Sequence, residues 1–177
     1  NYTSEPLDEP LEMIGRPHAV IHVSSTAPVM AFVARLSDVA PNGTSAQVTI
    51  GVLNGTRRDS LTDPEPMEPG EAYELDVTLD TTAWRFQKGH RIRLSISSAD
   101  FPNLWPTPYN GTNRVHRGPG HASRLELPVV PTREAPCGGL PPDEMEYEPS
   151  ANPRTYPEPP PDVVPWEISH DMLRDRT

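Results

Sequence analysis

Between residues 17 and 130, apolar and polar side chains alternate one by one in run after run. In Tyr73-Glu74-Leu75-Asp76-Val77-Thr78-Leu79 the odd positions are apolar and the even ones polar. In Arg91-Ile92-Arg93-Leu94-Ser95-Ile96, Ile92, Leu94 and Ile96 share one face, and Arg91, Arg93 and Ser95 share the other. Arg124-Leu125-Glu126-Leu127 repeats the pattern near its end. Successive side chains of a strand leave opposite faces, so this period of two predicts strands with one face buried. The same reading places Ala46, Val48, Ile50 and Val52 on one apolar face, with Gln47 and Thr49 opposite. It also turns Ala19, Ile21 and Val23 inward. Val29-Met30-Ala31-Phe32-Val33-Ala34 is apolar throughout and predicts a central strand covered on both faces.

The breaks between runs carry turn chemistry. Pro41-Asn42-Gly43, Asn54-Gly55, Glu68-Pro69-Gly70-Glu71 and Lys88-Gly89 each supply a residue for a turn or for positive φ. One helical turn is predicted, Asp80-Thr81-Thr82-Ala83-Trp84, capped by Asp80 or Thr81. Strands at this spacing with so little helix between them read as an antiparallel all-β sandwich, not as βαβ units.

Proline then marks a boundary. The chain has 24 prolines in 177 residues, and eleven lie between Pro131 and Pro165. This divides it into a sandwich over 1–130, an extended Pro-rich connector over 131–165, and the start of a further strand over 166–177, where Trp166-Glu167-Ile168-Ser169-His170 alternates again. A body of about 130 residues can hide about two-thirds of its unfolded surface, enough for a real core.

Charge and cysteine narrow the partners. Asp and Glu outnumber Lys and Arg by 25 to 15, a net charge of −10. That balance argues against nucleic-acid and anionic-membrane surfaces, which need clustered cations. No apolar run reaches the about 18 residues of a membrane helix, and no leader pattern opens the chain. The single cysteine, Cys137, forbids an intrachain disulfide and fits a cytoplasmic setting, with secretion left open. Four Asn-x-Ser/Thr sequons occur, at Asn1, Asn42, Asn54 and Asn110, and three are Asn-Gly pairs that form turns first.

A search for chemistry returns little. A serine nucleophile of the α/β type sits on a Gly-x-Ser-x-Gly elbow, and the chain has none. His18 and His22 share a strand face about 13 Å apart, too far for one zinc ion whose ligands stand about 2 Å away. His116 and His121 flank Gly118-Pro119-Gly120 and read as loop histidines. The polar loop Arg57–Asp63 offers Asp59 and Asp63 to calcium only weakly. No Gly-rich phosphate loop is present. No catalytic residue, no metal ligand and no cofactor is therefore assigned.

The distinctive segment is Asp100-Phe101-Pro102-Asn103-Leu104-Trp105-Pro106-Thr107-Pro108-Tyr109, with three aromatics and three prolines in ten residues. So apolar and stiff a loop is rarely left facing water. It folds over one end of the sandwich, meets another domain through Phe101, Asn103, Leu104, Trp105 and Tyr109, or stacks Trp105 and Tyr109 on a sugar as a carbohydrate-binding jelly roll does.

Several motifs in order resemble one family. Tyr2-Thr3-Ser4-Glu5-Pro6-Leu7, Val23-Ser24-Ser25-Thr26-Ala27-Pro28 and Phe32-Val33-Ala34-Arg35-Leu36-Ser37-Asp38-Val39 come first. Pro69-Gly70-Glu71-x-Tyr73, Phe86-x-x-Gly89-His90-Arg91-Ile92-Arg93-Leu94 and Ser97-Ser98-x-x-Phe101-Pro102 follow, and Pro165-Trp166-Glu167-Ile168 continues past the connector. Together they resemble the C-terminal domain of the cocaine esterase/X-Pro dipeptidyl-peptidase (CocE/NonD) serine hydrolases. The resemblance implies a galactose-binding-like jelly roll packed on an α/β-hydrolase domain. That domain would carry the Ser-His-Asp triad that cleaves esters or amides. No position here matches the triad, so no catalytic residue carries over. The implied role is to shape the substrate cleft of a catalytic domain lying outside this chain. The chain then reads as an excised piece, inactive alone, whose uncovered face could make it a homodimer.

Overall fold

The computed structural model describes residues 1–131. The expected connector over 131–165, after Pro131, and the expected strand over 166–177 lie outside the described residues. Eleven strands follow one another: β1 (Tyr2–Thr3), β2 (Leu11–Gly15), β3 (His18–Ser25), β4 (Ala31–Val39), β5 (Ser45–Asn54), β6 (Ala72–Thr78), β7 (Thr82–Phe86), β8 (Arg91–Ser97), β9 (Asn113–His116), β10 (Arg124–Glu126) and β11 (Val129–Val130). A 3-10 turn at Gly55–Arg57 is the only helical element among the described residues. All pairings are antiparallel.

Two layers enclose the core. The first has the order β1-β8-β4-β5. The second is built from β10-β3-β6 and β11-β2-β7. These two ribbons are one sheet bent sharply: β2 and β3 are separated by only Arg16 and Pro17, β6 and β7 by Leu79, Asp80 and Thr81. Two residues face three, so the ladder slips by one between Gly15↔Thr82 and His18↔Thr78. The Leu79 N–H donates to the Pro17 carbonyl at 2.9 Å and carries the ladder across the bend. Pro17 and Pro128 lack the N–H a straight ladder needs, and both sit where the strands break.

The alternation places the core. Ala19, Ile21 and Val23 of β3, Leu75 and Val77 of β6, and Phe32, Ala34 and Leu36 of β4 are buried in one cluster. Phe86 and Met13 join it from β7 and β2. Ile92 and Ile96 pack on it from β8, beside Leu94. Strand β4 is central, between β8 and β5, as its apolar run predicts. All four predicted turns form. Asn42 Oδ1 accepts the Thr44 N–H at 3.0 Å, and Asn54 Oδ1 caps the 3-10 turn through the Thr56 N–H. Gly70 and Gly89 adopt φ of 86° and 81°.

Two local expectations fail. Residues 80–84 are not a helical turn, because Thr82–Phe86 pairs with β2, Trp84 opposite Met13 and Phe86 opposite Leu11. One capped turn gives up little when tertiary pairing buries Phe86 completely. The apolar face of β5 also reverses midway. Leu36 pairs with Thr49 but Ser37 pairs with Gln47, so Val48 is an extra, bulged residue. A one-residue bulge changes which positions face inward. Val48 still packs on the core, but Thr49 and Gly51 are then buried and Leu53 turns inward, while Val52 is 46% exposed.

Candidate functional site

The aromatic loop leaves β8 at Ser98 and is fastened at both ends. At its base, Arg35 Nη2 donates to Asp100 Oδ1 at 2.5 Å, and Asn103 Nδ2 donates to Asp100 Oδ2 at 3.1 Å. The Leu104 N–H donates to the Asp100 carbonyl at 2.9 Å. The Asp100 side chain is 12% exposed, so a charge-assisted pair here is partly shielded from water. Further on, Thr107 Oγ1 donates to the Val29 carbonyl at 3.0 Å and accepts the Tyr109 N–H. The Phe101–Pro102 peptide bond is cis.

On this fastened frame the aromatic rings face solvent. Phe101 is 47% exposed, Trp105 68% and Tyr109 48%. Phe101 and Trp105 meet edge to face, centroids 5.6 Å apart and planes at 88°, a favoured arrangement for two rings. Of the residues singled out from sequence, Phe101, Asn103, Trp105 and Tyr109 are exposed. Asn103 is spent on Asp100, and Leu104 is half-buried beneath.

Sequence reasoning missed a histidine cluster. His22 and His116 are directly paired across β3 and β9, and the His121 ring lies 5.4 Å from that of His22 and 5.2 Å from that of His116. Strands β9 and β10 run along the same edge of β3, interrupted by the excursion Arg117–Ser123. Ser123 Oγ fills the break, accepting from the His22 N–H at 2.9 Å and donating to the His116 carbonyl at 2.8 Å. Gly118 and Gly120, at φ of 104° and 87°, turn the excursion back. The cluster assembles from residues about a hundred positions apart, and only the strand pairing could have signalled it. His18, by contrast, bonds Asp76 at 2.9 Å, so the two histidines of β3 serve different carboxylates; His22 reaches Glu74 at 3.2 Å.

Ser24 Oγ lies 2.9 Å from His116 Nε2. This is not a nucleophile with its base. Ser24 is 3% exposed, within strand β3, with ladder partners Ala72 and Arg114 on both sides. Acyl transfer needs a serine raised on a tight turn beside oxyanion donors. Glu74 is engaged by His22, and no carboxylate pairs with His116 among the described residues. No group of three metal-ligating side chains is arranged to hold an ion among them either. No helix among them is long and apolar enough to cross a membrane.

Comparison with known proteins agrees with this geometry. Residues 1–126 match the family described as the X-Pro dipeptidyl-peptidase C-terminal non-catalytic domain. The chain is 34% identical over 143 residues to the cocaine esterase of Rhodococcus sp. (strain MB1 Bresler), covering 73% of this chain and 25% of that protein. The solved structure of an alpha-amino acid ester hydrolase superposes with a TM-score of 0.69 at 27% identity, over 73% of this chain and 25% of the other. A CocE/NonD family hydrolase from Staphylococcus aureus shares the fold, with a TM-score of 0.66 at 15% identity over 73% of this chain and 30% of the other. The chain thus spans about a quarter of the length of the relatives it matches. With the jelly-roll sandwich, the ordered motifs and the lack of a nucleophile elbow all on one chain, it belongs to the family of X-Pro dipeptidyl-peptidase C-terminal non-catalytic domains.

Proposed function

We propose that this domain serves a serine hydrolase of the CocE/NonD type by packing on its α/β catalytic domain and walling part of the substrate cleft through the loop Phe101–Tyr109. The observation that carries the reading is an aromatic surface, Phe101, Trp105 and Tyr109, exposed on a loop fastened through Asp100 and Thr107. A rigid loop loses little conformational freedom on docking, and large aromatic side chains concentrate binding energy. The relatives whose names specify ester substrates are consistent with acyl transfer in the parent protein. A cytoplasmic setting fits the lone Cys137.

Two measurements test this. The 177-residue chain alone is expected to show no turnover of p-nitrophenyl esters or X-Pro amides; turnover abolished by an active-site serine probe overturns the non-catalytic assignment. In the parent hydrolase, Trp105→Ala with Phe101→Ala is expected to lower kcat/KM on esters about tenfold, because truncating an aromatic anchor costs about 1–2 kcal/mol or more. The melting of the isolated chain should stay unchanged. Unaltered kinetics in the parent would remove the loop from the cleft. Light scattering of the isolated chain shows whether the same face pairs two copies when no catalytic domain covers it.

A further inference from the structure

A cavity of about 430 Å³ opens between the two layers, at the edge where β1 and β8 face β9 and β10. Its walls are Ile21, Ile92, Leu94, Val115, Leu125 and Leu127, all of which belong to the core or pack against it. Close-packed interiors leave few voids larger than a water molecule, and a space of this size falls in the range of small-molecule sites. The cause is visible in the fold. Strand β1 has two residues and β10 three, so neither edge is long enough to close over the gap. The excursion Arg117–Ser123 also interrupts the ladder between β9 and β10, so no paired strand closes that stretch of the β3 edge.

The mouth has a definite charge. Arg117 and Arg124 line the cavity, with Tyr2, Thr3, Ser4 and Ser123, and no Asp or Glu does. That is notable in a chain of net charge −10. Arg124 Nε is held by Glu126 at 2.6 Å. Arg117 stands 5.8 Å from the centre of the Tyr2 ring, and among the described residues no carboxylate pairs with it. One uncommitted guanidinium therefore stands over an apolar slot that reaches Ile21 and Leu94 in the core. A guanidinium binds a carboxylate through two parallel N–H···O bonds, and a single free one suits a single negative charge.

We infer that this cavity binds an amphipathic carboxylate, with the aliphatic or aryl body between the layers and the carboxylate on Arg117. None of the aromatic-loop residues lines the cavity, so the inference stands or falls independently of the proposed cleft role.

Octanoate, 1-octanol and octyltrimethylammonium are the probes, titrated into the 177-residue chain with its Ile, Leu and Val methyl groups labelled for NMR. Octanoate is expected to bind saturably, with NOEs from its chain to the Ile92, Leu94 and Leu125 methyls. Affinity should fall about tenfold for 1-octanol and for octanoate with Arg117→Ala, the usual scale for losing a hydrogen-bonded charge. Arg117 is exposed, so its replacement should leave the fold intact; unchanged methyl shifts in the ligand-free variant verify this. The inference is overturned by octyltrimethylammonium binding as well as octanoate, by indifference to Arg117→Ala, or by no saturable binding. NOEs from the cavity methyls to another segment of this chain or a second copy, in place of the ligand, overturn it too.

Discussion

Asp38 shows how a buried charge is tolerated here. Its side chain is 7% exposed on β4. It accepts the Trp84 Nε1–H at 3.1 Å from β7, and His90 Nδ1 lies 2.8 Å away just before β8. One carboxylate thus ties a strand of the first layer to Trp84 of the second. A buried carboxylate without donors would be costly, and two donors without an acceptor would be too. Asp38→Ala should destabilise the domain by about 2–3 kcal/mol, the cost of orphaning partly buried donors. Asp38→Asn keeps one acceptor oxygen and should cost about half as much. Urea melts followed by Trp fluorescence measure both. Equal stability of the alanine variant and the native chain would show that the network contributes nothing.

At the scale of elements, the instructive strand is β5. Its bulge at Val48 turns Gly51 toward the bend of the second layer. A Cβ added there would stand 2.4 Å from the Thr78 carbonyl oxygen and 2.8 Å from the Leu79 Cα. Both are backbone atoms held by the bend, which also receives bonds from Thr49 Oγ1 to the Asp80 carbonyl and from the Asp80 N–H to the Ile50 carbonyl. Gly51→Ala should therefore cost about 1–3 kcal/mol by overpacking. Gly55 makes the contrast: its added Cβ would meet Met67 Sδ at 2.3 Å, but a methionine side chain adapts. Gly55→Ala should cost less than Gly51→Ala in thermal melts, and the reverse order would mean that Met67 is the more rigid neighbour. Such details explain what was legible beforehand. β3, β6 and β8 are long enough for alternation to declare both strand and buried face. β1 is too short to show a period, β2 and β9 carry no sustained alternation, and β7 carried a local capping signal that pairing with β2 overrode. On β5 one bulged residue reversed a correctly recognised pattern. The aromatic loop stood out because its composition is local. The histidine cluster and the cavity did not, because each is made by strands that meet across about ninety positions of sequence.

The whole molecule depends on how its first layer ends. Strand β8 would be the edge of that layer if the N-terminal residues were absent, since its other side is taken by β4. Residues 2–7 cover it with more than the two-residue ladder of β1. The Ser4 N–H donates to the Ile92 carbonyl at 2.9 Å, and the Ile92 N–H donates to Ser4 Oγ at 3.0 Å. The Leu7 N–H donates to the His90 carbonyl and the Gly89 N–H to the Leu7 carbonyl, each at 2.8 Å. Arg91 Nη1 donates to the Ser4 carbonyl at 2.9 Å, and Leu7 packs on the core. Removing residues 1–7 would leave the backbone groups of β8 that point away from β4 without partners, on a seven-residue strand whose inner face carries Ile92, Leu94 and Ile96. Unpaired edges of that length recruit other strands. Arg91 and Arg93 on the opposite face are the only charges that oppose this on the strand itself, and two like charges in seven residues oppose it only in part. The truncated chain is therefore expected to self-associate through β8. Light scattering should show dimers or larger species, and amide exchange at Ile92 and Leu94 should become concentration-dependent. If the truncated chain stays monomeric with rapid exchange along β8, then the layer tolerates an open edge, and residues 1–7 act as a local strap without guarding the molecule against its own copies.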